Sequence, residues 1–480
     1  MEQPPFEMPS AVTPDQVLTD IVDYVMTYKI EDRQAIDMAR LCLADTLACA
    51  FDALDFEGCT RLLGPIVEGI TVRNGSRVPG TQYELDPAAA AFSFGCMIRW
   101  LDLNDTFTGA TGGHPSDNVA GVLMLADHLS RQRLAAGGEP LRMSEVLHFL
   151  IKAYEIQGCL AIENDFFAYG IDHDILVRIA SAAVLTRMLG GTRDQVLSAV
   201  SNAWVGSSLV LYRHASSTGS RKNWACGNAS HDAVRLALMA IKGEMGYPFV
   251  LTAKKFGFND ARIGGAALKF QRAYGDYVVQ NSMFKFVPAG MHGQSAAECA
   301  FQLHPLVRDR LDAVVRVEIE THRDTIRIMH KTGQLHNAAD RDHCAEYVVA
   351  LGLIHGRIAP TDFEDEFAAD PRIDRLRAAM VMSENARYTA DYDDPSKRSN
   401  TSSVRVSFKD GTSTTRAEIE YPLGHKRRRA EATPALREKR AASLGRRFSS
   451  ERRQRIAALC DDASAFECTP VNDFVDLLIP

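Results

Sequence analysis

The segment 99–118 has the composition of a ligand-binding loop: carboxylates and a threonine, then a glycine-rich turn, then His-Pro-Ser-Asp-Asn. Glycines allow a backbone to pass close to a ligand. A helix that begins after Pro115 would direct free N–H groups toward a carboxylate. Alternatively, the Ser, Asp and Asn only cap this helix and the histidine faces solvent. The candidate site residues of this segment are Asp102, Asp105, Thr106, His114 and Ser116.

Two later loops could supply an acid–base histidine and several cations. In the loop 169–174, His173 lies between two aspartates, and an adjacent carboxylate raises the pKa of a histidine and orients its ring. The loop 213–224 crowds three cations, His214 and several hydroxyls into a Gly/Ser-rich stretch, which suits a multiply charged anion. The alternative for both loops is a solvated surface. The candidate site residues of these loops are His173, Arg221 and Lys222.

The segment 284–294 carries a lysine and a histidine at the predicted junction of two domains. Lys285 lies between two phenylalanines, and His292 precedes a predicted helix. Ligand clefts often form where domains meet, so both side chains are candidates for substrate binding. The alternative is a hinge in which the lysine extends past the aromatic rings to reach water.

The cations and histidines of these segments together fit a substrate with several carboxylates. Elimination of water from a 3-hydroxy acid needs a base for the C–H proton, an acid for the leaving hydroxide, and positive charge beside the developing enediolate. Aconitase-type enzymes obtain the acid from an iron–sulfur cluster. The ten cysteines here form no cluster spacing, so protein side chains would have to act as the acid.

Other chemistries receive less support from the motifs. No HExxH or paired-histidine spacing occurs, so no metal is expected, although the carboxylates and histidines of 102–117 together with His173 could form an oxygen–nitrogen site. No GxSxG sequence indicates a serine hydrolase, and no GxGxxG turn indicates a nicotinamide site. A metal-dependent hydrolase stays an alternative, which activity in the presence of a chelator would exclude.

Bulk composition describes an ordinary globular protein of 480 residues with a net charge of −7. A mildly acidic chain is not expected to bind nucleic acid. Residues 1–10 have neither the basic nor the apolar region of a signal peptide, and no run of about 18 apolar residues occurs. The cysteines lie mostly in apolar stretches, as in a reducing compartment. We therefore expect a cytoplasmic protein without membrane spans.

The elements that must position these residues change in character along the chain. Helical spacing dominates up to about residue 273, and strands with a hairpin turn at Asp410–Gly411 follow. The sequence predicts a mainly α protein with an all-helical domain (1–273), a smaller α+β domain (274–425) and a C-terminal helical segment (426–480) that packs back on the first. The predicted helices are 14–28, 32–50, 88–101, 118–129, 143–158, 175–189, 194–211, 229–242, 294–303, 341–354, 373–382 and 434–459, and the predicted strands are 314–321, 401–409 and 414–421.

Several blocks of the sequence resemble one known family. RWLDLNDT at 99–106 and GHPSDN at 113–118 are similar to the signature of the MmgE/PrpD family. YEIQGCL (154–160), GSRKNWACG (219–227) and FKFVPAGMHGQ (284–294) match further blocks of that family. NAADRDHCAEY (337–347) and YPLGHKRRR (421–429) look like its 2-methylcitrate dehydratase branch. The resemblance extends from about residue 15 to the C-terminus.

The resemblance implies a helical domain with a smaller lid domain, a homodimer, no cofactor and no iron–sulfur cluster. It implies a hydro-lyase that converts 2-methylcitrate to 2-methyl-cis-aconitate in the methylcitrate cycle of propionate catabolism, with side activity on citrate and cis-aconitate. Two alternatives remain: a cis-aconitate decarboxylase on the same scaffold, and a non-catalytic helical binding module. Detection of itaconate and carbon dioxide would indicate the first, and the absence of stabilisation by tricarboxylates would favour the second.

The resemblance also implies roles for individual residues. The pocket residues of the family's cis-aconitate decarboxylases match seven positions of this sequence, and Tyr347 matches less closely. The seven positions are Asp102, Thr106, His114, His173, Lys222, Lys285 and His292. The spacing between Thr106 and His114 looks like that of the dehydratase branch. We expect His114 and Asp102 to transfer protons and Lys222, Lys285 and Arg221 to hold substrate carboxylates. The catalytic candidates are His114, Asp102, His173, Lys222 and Thr106, and the substrate-binding candidates are Arg221, Lys285, His292, Asp105, Ser116 and Tyr347.

Overall fold

The computed structural model describes residues 13–206, 208–213 and 218–480 of the chain. Part of one predicted site loop, including His214, lies outside the described residues.

Helices make up nearly all of the regular structure before residue 282. These helices are α1 (Gln16–Thr27), α2 (Arg33–Ala53), α3 (Glu57–Thr60), α4 (Pro87–Arg99), α5 (Asn118–Ala135), α6 (Met143–Glu163), α7 (Asp174–Met188), α8 (Arg193–Val205), α9 (Ala225–Ile241), α10 (Phe258–Arg262) and α11 (Tyr277–Asn281). One short antiparallel pair interrupts them, formed by β1 (Ser76–Arg77) and β2 (Glu84–Leu85).

Helix α4 illustrates how local sequence and packing place a site residue. Asp86 caps the helix by accepting hydrogen bonds from the backbone N–H groups of Ala88 and Ala89 at 3.0 and 3.1 Å. The helix then crosses α9 at a pair of glycines, where a Cβ on Gly95 would lie 2.5 Å from the Cα of Gly227. This close crossing fixes the C-terminal end of α4 beneath the candidate site, where Arg99 is its last residue.

The second half contains helices that flank a sheet and a run of helices at the C-terminus. These are α12 (Gln294–Val307), α13 (Arg323–Met329), α14 (Ala338–Arg341), α15 (Ala345–His355), α16 (Asp365–Ala368), α17 (Pro371–Ala378), α18 (Ala386–Asp393), α19 (Arg429–Arg447), α20 (Ser450–Asp461), α21 (Ala463–Cys468) and α22 (Val471–Leu477). Side chains of α19 to α22, including Leu436, Ile456 and Phe474, lie in the same hydrophobic core as helices α1 to α9.

A four-stranded sheet with its own hydrophobic core forms the remainder of the second half. Its strands are β3 (Val314–Thr321), β4 (Met380–Glu384), β5 (Ser402–Phe408) and β6 (Ala417–Ile419). The spatial order is β4-β3-β5-β6, with β3 and β4 parallel and the other pairs antiparallel. Helix α12 packs against β5 and β6, and α15 packs against α12. This second core includes Val348, Leu351 and Val404.

Three sequence predictions about elements were wrong in detail. The predicted helix 434–459 is two helices, α19 and α20, which are separated at Phe448 and Ser449. The predicted helix 373–382 ends early, because Met380–Glu384 form β4 beside β3. The run Met-Val-Met fits either periodicity, and only pairing with β3 decides between them. The predicted helix 194–211 ends at Val205 and is followed by a short 3-10 turn, Val210–Arg213, which brings Arg213 to the candidate site.

The architecture confirms the predicted fold class, which is mainly α with a smaller α+β part. The hairpin predicted around Asp410–Gly411 is present as the antiparallel pair β5 and β6. Within the described residues, no helix combines the length and the apolar character needed to cross a membrane.

Candidate active site

Asp102 lies just after α4 at the centre of a buried ionic cluster. Its backbone has a left-handed φ of 48°, which non-glycine residues seldom adopt. Its carboxylate contacts the Nζ of Lys285, the guanidinium of Arg99 at 3.1 Å and the Nζ of Lys222 at 3.6 Å. Burial favours the neutral acid, but Arg99, Lys285 and Lys222 outweigh it and hold the pKa of Asp102 well below its usual range. Asp102 is therefore ionised near neutral pH.

The ring of His114 is held in one tautomer by the backbone. Its Nδ1 lies 2.7 Å from the carbonyl oxygen of Asp105, and a carbonyl can only accept a hydrogen bond. The proton of the neutral ring is therefore on Nδ1, and the lone pair of Nε2 is available. Burial and the nearby Arg99 and Lys285 hold the pKa of His114 well below its usual value. His114 is thus a neutral imidazole that can accept a proton.

His173 has the opposite environment. Its Nδ1 lies 2.8 Å from Oδ1 of Asp172, and its Nε2 lies 3.9 Å from Oδ2 of Asp117. Burial alone would lower the pKa of His173, but the charge of Asp172 outweighs it, and the pKa is raised. The ring centroids of His114 and His173 are 5.8 Å apart. The neutral imidazole of His114 therefore faces the imidazole of His173, whose pKa is raised.

The glycine-rich loop after Thr106 forms one wall of the site. The Thr106 hydroxyl donates to the carbonyl of Gly113 at 2.9 Å, and the backbone of Thr106 pairs with Met283. The loop packs tightly on α6, since a Cβ on Gly109 would lie 2.6 Å from the carbonyl oxygen of Ala161. This close approach explains why the loop uses glycine at that position.

The α+β part contributes two further histidines from the opposite side. The Nε2 of His292 lies 3.1 Å from the Tyr392 hydroxyl. The Nδ1 of His343 lies 2.5 Å from one oxygen of Asp342, whose other oxygen accepts from the Lys222 ammonium at 2.8 Å. Burial and Lys222 lower the pKa of His343 to about 4. The buried contact between Lys222 and Asp342 thus joins the helical half to the α+β half.

These side chains surround a cavity of about 70 Å3 between the two halves. Five of the predicted site residues line it: Asp102, Thr106, His114, His173 and His292. Lys222 and Lys285 are fully buried and support Asp102 without lining the cavity. The other lining residues are Arg99, Gly112, Gly113, Phe167, Arg213, Gly290, Met291, Ile328 and His343.

Besides Lys222 and Lys285, four predicted site residues do not line the cavity. The carboxylate of Asp105 accepts hydrogen bonds from the Tyr154 hydroxyl at 2.8 Å and from the backbone N–H of Ser116 at 3.1 Å, which makes it a buried bracing group. The hydroxyl of Ser116 accepts from the side chain of Asn104.

The other two lie farther from the cluster. Tyr347 belongs to the core of the α+β part, and its hydroxyl donates to the carbonyl of Asp362 at 2.8 Å. Arg221 is exposed, with its guanidinium 4.4 Å from the ring centroid of Trp224. The structure therefore separates both residues from the residues that line the cavity.

The structure also brings in residues outside the candidate site residues, although Arg213 is one of the three cations that the sequence places in the loop 213–224. Arg99 and Arg213 are the cations that line the cavity, and Arg213 forms an ion pair with Asp172. His343 lies within the family block 337–347, and it follows an aspartate in the sequence just as His173 does. Nothing in the local sequence placed it near Asp102, because that contact depends on how the two halves pack.

Two groups of described side chains have the composition of a metal site: Asp117, His173 and Cys226, and Asp102, Asp342 and His343. Both groups already contact cations of the protein. Arg99 Nε lies 3.8 Å from Asp117, and Lys222 Nζ lies 2.8 Å from Asp342. Guanidinium and ammonium groups at these distances repel a metal ion. The donor atoms therefore fit an internal ion-pair network better than a metal site.

Comparisons with known proteins cover nearly the whole chain. The model of the MmgE/PrpD N-terminal domain matches residues 19–271, and that of the MmgE/PrpD C-terminal domain matches residues 287–463. The chain is 52% identical over 470 residues to a protein of Cupriavidus necator named 2-methylcitrate dehydratase, with 97% of each chain covered. It is 51% identical to the 2-methylcitrate dehydratase of Salmonella typhimurium, again with 97% of each chain covered. A mitochondrial 2-methylcitrate dehydratase of Yarrowia lipolytica is 46% identical, with 97% of this chain and 90% of the relative covered.

Proposed function

Because the chain belongs to the MmgE/PrpD family, we propose that it is a 2-methylcitrate dehydratase, a hydro-lyase that converts 2-methylcitrate to 2-methyl-cis-aconitate. The step belongs to the methylcitrate cycle of propionate catabolism, and citrate and cis-aconitate serve as side substrates. The observation that carries the proposal is the pair of facing imidazoles with opposite pKa shifts, His114 and His173, in one cavity. Two titratable groups whose pKa values are driven apart suit a base and an acid.

His114 is the proposed base. Its neutral ring carries the proton on Nδ1, so Nε2 can remove the C–H proton beside a substrate carboxylate. The resulting imidazolium lies 3.6 Å from the ionised Asp102, which offsets the new charge. Asp102 thus acts as a fixed anion beside His114, and the proton transfer itself falls to the histidine.

His173 is the proposed acid. As the substrate C–H bond breaks, its electron pair forms the double bond and the C–O bond to the hydroxyl breaks. The proton held by His173 goes to the departing oxygen, so water leaves rather than hydroxide. Asp172 raises the pKa of His173 and so favours the protonated ring that this step needs. Proton exchange with solvent then restores both imidazoles.

Positive charge at the cavity wall orients the substrate carboxylates. Arg99 and Arg213 line the cavity, whereas Lys222 and Lys285 add positive charge from beneath Asp102. Guanidinium groups suit carboxylates because they donate two parallel hydrogen bonds. Thr106 and His292 are placed to contact the hydroxyl or a further carboxylate. We do not assign substrate contacts to Asp105, Ser116, Arg221 or Tyr347.

We further propose a division into the ranges 1–273, 274–425 and 426–480, as the pattern of helices and strands predicts, and a cytoplasmic location, as the composition predicts. We also propose a homodimer, as the family resemblance implies. The cavity of about 70 Å3 holds roughly five water molecules and is small for a tricarboxylate. The α+β part therefore acts as a lid that moves away to admit the substrate.

The test is to follow the ultraviolet absorbance of the conjugated double bond after adding 2-methylcitrate to the purified protein. We expect turnover of 2-methylcitrate, slower turnover of citrate and no loss of activity in excess chelator. A parallel reaction with cis-aconitate is analysed for itaconate and carbon dioxide. Decarboxylation without any dehydration would contradict the proposal and favour the decarboxylase.

A further inference from the structure

A second pocket, apart from the catalytic cavity, is lined by cations and hydrogen-bond donors. It has a volume of about 30 Å3, which at roughly 10–15 Å3 per water suits the head of one oxyanion. Its polar lining residues are Thr108, Gln271, Tyr277, Asn281, Arg398, His425 and Lys426. Among the residues that the structure describes, no aspartate or glutamate lines this pocket.

The pocket lies on the other side of one wall of the catalytic cavity. Thr106 lines the catalytic cavity, and its backbone partner Met283 lines the second pocket. Phe107, the next residue, also faces the second pocket. The two cavities therefore share a wall but have different lining residues.

The cations of this pocket lack the ion pairs that their neighbours have. Lys397 pairs with Asp391, and Arg428 contacts Glu298 at 2.7 Å. By contrast, neither Lys426 nor Arg398 has a carboxylate within 4.0 Å among residues 13–206, 208–213 and 218–480.

The contacts that these two cations do make are with neutral groups. The Lys426 ammonium donates to the side-chain oxygen of Asn281 at 2.6 Å, which leaves two of its three protons for a ligand. Arg398 has a left-handed φ of 44° and donates one hydrogen bond to the carbonyl of Tyr392 at 3.3 Å. Most of its five donors are thus available.

The titration of the neighbouring groups is consistent with uncompensated positive charge. Burial and the cations Lys426, Arg427 and Arg429 lower the pKa of His425 to about 3. Burial, Arg427 and Arg429 also lower the pKa of Lys426 itself. An anion that bound here would relieve this repulsion.

The other described pockets differ in this respect. Each has at least one carboxylate in its lining: Asp102 in the catalytic cavity, Glu57 in the groove beside Trp100, Asp37 in the groove between α2 and α19, and Asp324 in the cleft beside Tyr392. The cleft beside Tyr392 shares Arg398 and Gln271 with this pocket, whereas His425 and Lys426 do not line that cleft. The part of the pocket around His425 and Lys426 therefore has the cationic lining without an acidic residue that is expected of an anion site.

We propose that this pocket, with Lys426 and Arg398 as its charged ligands, is a second binding site for a small oxyanion of two or more charges. The shared chemistry is a cluster of anionic oxygens. Inorganic phosphate presents it as a whole, whereas a di- or tricarboxylate can place only one carboxylate head in a pocket of about 30 Å3. Asn281, Tyr277 and Gln271 supply further polar contacts. The site is separate from the residues proposed for dehydration, so its existence does not depend on that reaction.

The test is equilibrium binding by titration calorimetry on the full chain at fixed ionic strength. One arm uses inorganic phosphate, and the other uses propane-1,2,3-tricarboxylate, which lacks the leaving hydroxyl. The variants are Lys426→Gln and Arg398→Gln, and the matched control is Lys409→Gln, an exposed cation on another surface. Circular dichroism and melting temperature establish that each variant is folded.

We expect at least one of the two ligands to bind with a dissociation constant that Lys426→Gln raises about tenfold or more, since one charge-assisted contact contributes roughly 1.5–3 kcal/mol. The control should differ from the native chain by less than about twofold. Where the tricarboxylate is the ligand, the native chain should bind one more molecule than Lys426→Gln does. If Lys426→Gln does not fold, the dissociation constant of Arg398→Gln tests the proposal instead.

Two results would overturn the proposal. One is that neither ligand binds the native chain at any site sensitive to Lys426 or Arg398. The other is that Lys409→Gln weakens binding as much as the pocket variants do, which would indicate attraction by net charge alone. The ligand whose binding the pocket variants weaken, phosphate or the tricarboxylate, is the ligand of this site.

Discussion

Replacement of Asp172 by Asn tests the proposed acid most directly. Asp172 contacts Nδ1 of His173 at 2.8 Å, and both side chains are buried. The asparagine keeps the shape but removes the charge that raises the pKa of His173. In the variant Arg213 stays nearby and favours the neutral ring, and the remaining carboxylate, that of Asp117, lies farther away at 3.9 Å from Nε2.

The size of the effect follows from this contact. The contact is an ion pair without hydrogen-bond geometry, and an opposite charge this close shifts a pKa by about one to three units. The pKa of His173 should therefore fall by about one to three units. An acid is active only while protonated, so activity is lost as the pH rises through its pKa. In Asp172→Asn the alkaline limb of the profile should move to lower pH by that amount.

The assay is the pH dependence of kcat/KM for 2-methylcitrate, followed by product absorbance. The matched control is Asp127→Asn, a buried aspartate that pairs with Arg131 at 3.0 Å away from the cavity. This control should be less stable than the native chain, but the alkaline limb of its pH profile should stay at the native position. An unshifted alkaline limb in Asp172→Asn, with measurable activity, would refute the assignment of His173 as the acid.

Three further predictions follow from the same contacts. His114→Ala should lower kcat by at least about 100-fold with an unchanged circular dichroism spectrum, and near-normal turnover would exclude His114 as the base. Tyr347→Phe should lower the unfolding free energy by about 1 kcal/mol, because the hydrogen bond to Asp362 is lost. The KM of this variant should stay within about twofold of the native value, and a large rise in KM would indicate that Tyr347 contacts the substrate. His343 has a folded-state pKa of about 4, below its unfolded value, so its contribution to stability is present above about pH 6.5 and is lost as the pH falls toward 4. The native chain should therefore melt at lower temperature at pH 5 than at pH 7, and His343→Gln should reduce that difference.

The sequence predicted the local parts of the site because each part is a short segment. The glycine-rich turn between Thr106 and His114, and the aspartates beside His173, are visible in consecutive residues. Proximity in sequence did not guarantee a place at the cavity, however. Asp105 and Ser116 lie in the same segment but turn away to brace α6 and the loop, since a buried polar group needs a partner wherever it points.

The sequence by itself determined most of the helical segments, where the strands begin to appear and which blocks hold the candidate site residues, because periodicity and capping are properties of neighbouring residues. Only the tertiary structure decided that Arg99 and His343 share a cavity, that Met380–Glu384 pair with β3, and that the pKa of His114 is lowered while that of His173 is raised. The physical reason is that burial and charge act through space. The pKa of each imidazole depends on which carboxylates and cations packing brings within a few ångströms, and residues distant in sequence provide most of them.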